Sequence, residues 1–232
     1  MKLRVKFTKY GALKFIGHLD VMRYFQKAIR RAGIDIAYSA GFSPHQIMSF
    51  AAPLGIGLTS DGEYFDIEVH SVTTEQDMID RLNRTMAEGI EVLEIKKLPQ
   101  KCKNAMASVA AAGYIVSFRQ DHEPAFSLAE AVAWFCEASE ILYVKQTQKS
   151  EITVNLKESV YEIKLLDDGR IYMLVNASSS GNIKPSMVME KIYEHFGMQM
   201  GTFDLCIHRT DTYLYDEAAQ CLKPLSSAGE DL

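Results

Sequence analysis

Lys2-Leu3-Arg4-Val5-Lys6-Phe7-Thr8-Lys9 opens the chain with charged and apolar side chains in alternation. A period of two belongs to an extended strand, so residues 2–9 are expected as a strand with one buried and one basic face. After Gly17 the period changes. Val21, Phe25, Ile29 and Ala32 fall on one helical stripe, with Arg23, Lys27, Arg30 and Arg31 on the other side. Residues 19–32 therefore read as an amphipathic helix, stopped by Gly33. Residues 35–39 read as a short strand, Gly41-Phe42-Ser43-Pro44-His45 as a loop, and 47–52 and 64–69 as two more strands. Thr73 with Gln76 makes a capping box before a helix striped by Met78, Ile79, Leu82 and Met86. Residues 91–97 close the set as a strand. The order β-α-β-β-α-β is the ferredoxin-like arrangement.

The order repeats after a polar, basic linker at 99–104. Residues 114–119 form a strand by their β-branched and aromatic content, and Ser127 with Glu130 caps a helix carrying Leu128, Val132 and Phe135. Residues 141–146 and 161–166 read as strands, and Asp168-Gly169 is a hairpin turn into 171–175. Lys184-Pro185 starts a helix with Val188, Met189, Ile192 and Phe196 inward, and Gly197 ends it. Residues 203–209 supply the last strand, while 151–156 is an extended segment without a place in the scheme. The expected fold is α+β: two tandem ferredoxin-like units, with antiparallel sheets and helices on one face. The domain bounds are 1–98 and 110–212, followed by a flexible tail at 213–232.

Charge is distributed unevenly along the chain. The first 31 residues hold nine Lys or Arg and one acid, Asp20, in a chain of 232 residues whose formal net charge is −5. Such asymmetry argues about partners and points to a polyanion, RNA above all. No apolar run reaches the length of a membrane span, and the charged start is unlike a secretory signal, so the cytoplasm is expected. The four cysteines (Cys102, Cys136, Cys206 and Cys221) have no CxxC spacing. They are expected to be reduced, mostly buried thiols, with no metal or cofactor held.

Several stretches carry a family likeness. They are Val5-Lys6-Phe7-Thr8-Lys9, Phe15-Ile16-Gly17-His18-Leu19-Asp20, Ala28-Ile29-Arg30-Arg31-Ala32-Gly33 and Ala37-Tyr38-Ser39-Ala40-Gly41-Phe42-Ser43-Pro44-His45. The match continues through Pro53-Leu54-Gly55-Ile56-Gly57 and Gly62-Glu63-Tyr64-Phe65-Asp66-Ile67-Glu68, and is thinner after residue 110. Together these resemble the radical SAM-linked protein family, a domain of unknown function that stands beside or fused to cobalamin-binding-like radical SAM proteins. The chain departs from the family pattern at Gln46, where a second proline is usual, and at Gly17, where serine is usual. A radical SAM enzyme needs three closely spaced thiolates for its cluster. This chain lacks them, so the resemblance implies a companion of such an enzyme.

The candidate site follows from the charge. Lys6, Arg23, Lys27, Arg30 and Arg31, with Ser43 and His45 in the neighbouring loop, are the expected phosphate contacts. The plain alternatives are a docking face for an acidic protein, or a solvated helix face. His18, His45 and Tyr38 are the candidates for metal-independent acid–base cleavage of RNA, a reading supported by fold-level analogy with CRISPR repeat-processing endoribonucleases. The bland reading has His18 at the helix start and His45 packed in a turn. Tyr38, Phe42 and Tyr64 either stack bases or belong to the core. Asp66 and Glu68 share a strand face and either hold magnesium or form a solvated edge. The expected function is non-catalytic: RNA binding (tRNA or rRNA) or substrate presentation beside a radical SAM protein. No cofactor, small-molecule ligand or membrane contact is expected.

Overall fold

A computed structural model of the protein describes residues 1–146 and 151–232. The chain is mixed α+β, with mostly antiparallel strands, and divides into two compact units. One consists of Met1–Ala110 with Arg209–Leu232, the other of Ala111–His208.

In the first unit the chain runs β1 (Lys2–Lys9), a 3-10 turn (Gly11–Phe15), α1 (His18–Arg31), β2 (Met48–Phe50), β3 (Thr59–Glu68), α2 (Glu75–Asn83), β4 (Val92–Lys97) and a short α3 (Ala105–Ser108). The strands lie in the order β4-β1-β3-β2, each neighbour antiparallel. Residues 35–39, expected as a strand, make only isolated bridges, Ile36 with Val69 and Tyr38 with Gln46. The β1 alternation works as expected on one side. Leu3, Val5 and Phe7 meet Val21, Phe25 and Ile29 of α1 and Met78 and Leu82 of α2 in one core. Rings of Phe7, Phe25, Phe50 and Phe65 fill its centre with centroids 4.6 to 6.1 Å apart. Each such apolar side chain removed from water stabilises the fold by about 1.5–3 kcal/mol.

The other side of β1 differs from expectation. Arg4 is not on a solvated basic face; its side chain is 0% exposed. It sits directly opposite Asp66 on β3 and donates to both carboxylate oxygens, at 2.8 and 3.0 Å. Its guanidinium also reaches the carbonyls of Leu225 (3.0 Å) and Lys103 (3.3 Å), while Asp66 accepts the Ala105 N–H at 2.6 Å. A buried charge persists only when paired and hydrogen-bonded, and here every partner is present. Asp66 is therefore neither a magnesium ligand nor part of a solvated edge.

Arg4 needs those partners because the end of the chain folds back over it. The tail expected to be flexible is ordered. β10 (Leu205–Asp216) begins in the second unit and ends in the first, where it neighbours β3 and pairs with β11 (Cys221–Pro224). A 3-10 turn follows (Leu225–Ala228), and its Leu225 is fully buried. Glu230 then exchanges two backbone hydrogen bonds with Lys97 at the outer edge of β4, at 2.8 and 2.9 Å. Gly229 permits this approach: a Cβ there would stand 2.8 Å from the Lys97 carbonyl oxygen. Lys97 pairs with Glu230 and Lys96 with Asp231, at 3.0 and 2.8 Å.

Helix α2 starts one residue later than its capping box suggests. Thr74 is the N-cap, accepting the Asp77 N–H at 3.3 Å, because the Thr73 hydroxyl is engaged with the Asp77 carboxylate at 2.6 Å. Met86 falls beyond the helix end.

The second unit contains β5 (Ala111–Phe118), α4 (Leu128–Glu137), β6 (Leu142–Gln146), β7 (Glu151–Asn155), a short α5 (Leu156–Ser159), β8 (Val160–Leu165), β9 (Ile171–Asn176) and α6 (Pro185–His195). β9 lies between β5 and β8, antiparallel to both. The unplaced segment is β7, which pairs with β6 apart from the main sheet. Ser127 caps α4, and Pro185 opens α6, as the sequence predicts. Val116, Phe135, Met173, Val188 and Ile192 are among its fully or nearly fully buried residues. The cysteines are reduced but not mostly buried: Cys136, Cys206 and Cys221 are exposed.

Candidate nucleic-acid interface

The site is built on the outward side of α1. Arg23, Lys27 and Arg30 are all exposed and follow one another at helical spacing, while Val21, Phe25, Ala28 and Ile29 are buried behind them. Arg23 has one weak partner, Asp20, at 3.5 Å with both side chains mostly in solvent. Arg30 donates to the Gln26 carbonyl of its own helix at 3.3 Å. Neither contact neutralises much of the stripe's charge.

Residues 38–46 stand beside this stripe. The loop is closed by the Ser39 N–H donating to the His45 carbonyl, 2.8 Å, below which Tyr38 bridges Gln46. The Gln46 side chain is buried and donates to the Gln26 carbonyl on α1 at 3.1 Å. That bond fastens the loop base to the turn that carries Arg23 and Arg30. Ser39 Oγ accepts the His45 backbone N–H at 3.1 Å and lies 2.8 Å from its Nδ1, so the exposed imidazole is tied to Ser39. Ser43 and Phe42 are exposed at the tip. Of the expected aromatics, Tyr38 and Phe42 are at the surface and Tyr64 is in the interior.

The structure therefore puts Arg23, Lys27 and Arg30 on one exposed side of α1 and ties the base of the loop that carries Ser43 and His45 to Gln26 of the same helix. It does not bring Lys6 there. Lys6 Nζ pairs with Asp211 at 2.8 Å, and both side chains are largely buried. Tyr64 donates its hydroxyl to the other Asp211 oxygen at 2.7 Å, and burial together with that carboxylate pushes the phenol well above its ordinary range. Arg31 points to the α2 side, donating to the Thr85 carbonyl at 3.0 Å. His18, the first residue of α1, packs edge-on against Phe50 with ring centroids 5.3 Å apart. It stands eight residues before Gln26, so roughly 12 Å of helix separates it from the base of the His45 loop. The two imidazoles do not form an acid–base pair.

A second cluster was not visible in the sequence. Lys9, Glu63 and Arg209 are all buried, at 2%, 6% and 4% exposure. Arg209 donates to Glu63 at 2.8 Å and to the Ala52 carbonyl at 3.1 Å, and Lys9 donates to the Ile16 carbonyl at 2.9 Å. Burial pushes the Glu63 carboxyl up, against the pull of Arg209, and pulls the Lys9 ammonium down. Perturbed groups of this kind mark functional sites as well as structural networks. The cavity that Lys9 and Glu63 line with His18 and Phe50 measures only about 10 Å³, room for a single water at most. No substrate fits there, so the cluster is structural. A larger cleft of about 660 Å³ is lined by Asp61, Glu88, Glu91 and Tyr10, whose hydroxyl burial and Asp61 push up to about 12. Its acids repel a polyanion. Among the described residues no three His, Cys, Asp or Glu side chains come together as a metal site, and no helix is long and apolar enough to cross a membrane.

Residues 2–185 match a protein family described as "Uncharacterized protein conserved in bacteria (DUF2344)". No curated protein matches the chain. Among solved structures, a chain of the "Crystal Structure of a Cbf5-Nop10-Gar1 Complex" is similar, with a TM-score of 0.51 at 10% identity. The alignment covers 90% of this chain and 48% of that one, so this chain spans about half the length of its structural neighbour. At that identity the likeness concerns the fold alone.

Proposed function

The chain belongs to the DUF2344 family, and we propose that it is a non-catalytic RNA-binding module that presents RNA to a radical SAM partner. The observation that carries the RNA reading is the exposed stripe Arg23-Lys27-Arg30 with the loop 38–46 fastened beside it. Cations in a row on a rigid helix track a phosphate backbone and release its counterions. The partner rests on the resemblance of residues 3–70 to radical SAM-linked proteins and on the lack of clustered cysteines. Likeness in fold to a chain from a Cbf5–Nop10–Gar1 complex fits work within an assembly. We further propose that both units are ferredoxin-like. The first has the strand order β4-β1-β3-β2, and the second has β5-β9-β8 with the start of β10 beside β5.

The direct test is filter binding of tRNA and rRNA fragments across a salt series. With three stripe cations engaged on single strands, log Kobs against log salt should slope by about −2. Arg23→Glu with Arg30→Glu should abolish most of the binding. A flat salt response, or a double variant that binds as the parent does, overturns the proposal. The endoribonuclease alternative has less support, since His18 is packed on Phe50 and remote from His45. RNA left intact after incubation in EDTA removes it. Failure to co-purify with any radical SAM protein removes that part of the proposal and leaves RNA binding standing.

A further inference from the structure

We infer that the RNA is single-stranded and that Phe42 is its base-stacking platform, an inference that rests on the RNA-binding reading above. Phe42 is fully exposed, at 112% of its reference area, while Tyr38 at the loop base is 48% exposed and Leu19 at the start of the α1 stripe is 60% exposed. A phenyl ring left wholly in water gains nothing for the fold. Burying it against a flat apolar partner is favourable by the ordinary hydrophobic term. A lone exposed aromatic is common, but this one has two further properties.

The first is its presentation. Gly41 has a φ of +110°, a conformation that a side chain would strain, and Pro44 holds the other limb of the turn at fixed φ. The Ser39–His45 contacts close the loop, and Gln46 ties its base to Gln26. The ring is therefore held out by a constrained loop, and less ordering is needed when a ligand arrives.

The second is its surroundings. The loop base meets α1 between Arg23 and Arg30, and Phe42 is four residues from Gln46. Four extended residues reach no more than about 14 Å, so the ring stays within a few nucleotides of the cation stripe. Cations on one side and an aromatic face on the other fit a strand whose phosphates lie on the helix and whose bases turn outward. A duplex does not satisfy this arrangement, because its bases are already stacked on one another and show no free face. An acidic protein would use the cations but leave Phe42 without a planar partner.

The test uses fluorescence anisotropy with a labelled 12-nucleotide RNA, the same RNA annealed to its complement, and a poly-glutamate peptide, all at one low salt concentration. Three proteins are compared: the full chain, Phe42→Ala and Arg30→Ala. Because Phe42 touches solvent, its truncation should leave the circular dichroism spectrum and melting curve unchanged. Expected is tighter binding of the single strand than of the duplex by the full chain. Phe42→Ala should lower single-strand affinity by about tenfold, the loss typical of one stacked base, and leave the duplex value alone. Arg30→Ala should weaken both. Equal affinity for strand and duplex with Phe42→Ala silent overturns the inference, yet leaves RNA binding intact. Binding of poly-glutamate as tight as RNA overturns the inference too, and reassigns the stripe to an acidic protein. No binding of either RNA overturns both proposals.

Discussion

At the scale of single residues, the chain shows two opposite uses of positive charge. Arg4 and Lys6 are on the strand whose alternation is plainest in the sequence, yet both are interior residues matched to Asp66 and Asp211. Alternation says which side chains share a face; it does not say whether that face meets water. The covering segment arrives from residues about two hundred positions away, and no local pattern announces it. Glu63 and Arg209 likewise pair across 146 residues. The α1 cations were legible because the helix's own apolar stripe fixes which side is outward. Breaking the Arg4–Asp66 pair tests this division. Arg4→Met strands a buried carboxylate and should cost about 3–5 kcal/mol in urea unfolding. The double variant Arg4→Met with Asp66→Leu should recover most of that. A single variant as stable as the parent would mean that Arg4 is solvated.

At the scale of elements, α2 and α4 begin where a side-chain oxygen meets a free backbone N–H group. Ser127 does so as expected for α4. For α2 the sequence reading put the cap at Thr73, but the Asp77 carboxylate binds that hydroxyl and leaves Thr74 as cap. The Thr73 hydroxyl, then Arg81, holds the Asp77 carboxyl below its ordinary range. Thr74→Ala should destabilise by about 1 kcal/mol, measured by thermal or urea unfolding, with a smaller loss for Thr73→Ala. Equal losses would return the cap to Thr73. Strand β4 shows how an element outside the local pattern is completed: its outer edge is paired by Glu230, which leaves fewer open donors to attract another chain.

At the scale of the whole molecule, most elements of the order were readable from period and punctuation, but β7, β11 and the domain bounds were not. The sequence placed a boundary near 212 and a loose end beyond it. The first unit instead recruits Arg209–Leu232. Small and polar residues at 216–232 show no period, because their order comes from contacts with β4, Arg4 and Lys96. Those contacts are electrostatic enough to titrate. The hydrogen bond from Lys96 holds the Asp231 carboxyl below its ordinary value, and Asp231, then Glu75, holds the Lys96 ammonium up. A depressed carboxyl contributes above its unfolded value of about 3.9, and the contribution is lost as pH falls through the lower folded value. The raised lysine contributes below about pH 10.4 and loses its share as pH climbs through its folded value. The segment at 229–232 should therefore stay docked from about pH 4 to pH 10 and loosen outside that window. Hydrogen exchange at the Glu230 amide should accelerate below about pH 4 relative to amides in β9. Parallel behaviour of the two would refute a local release.

The discontinuity of the first unit also bears on how the protein is made. A ribosome that has delivered residues 1–208 has produced the continuous second unit whole, but the first unit still lacks Asp211 for Lys6, Arg209 for Glu63 and the Leu225 carbonyl that covers Arg4. During synthesis the later-translated unit is free to close first, while the earlier one waits with unmatched charges for residues 209–232 to emerge.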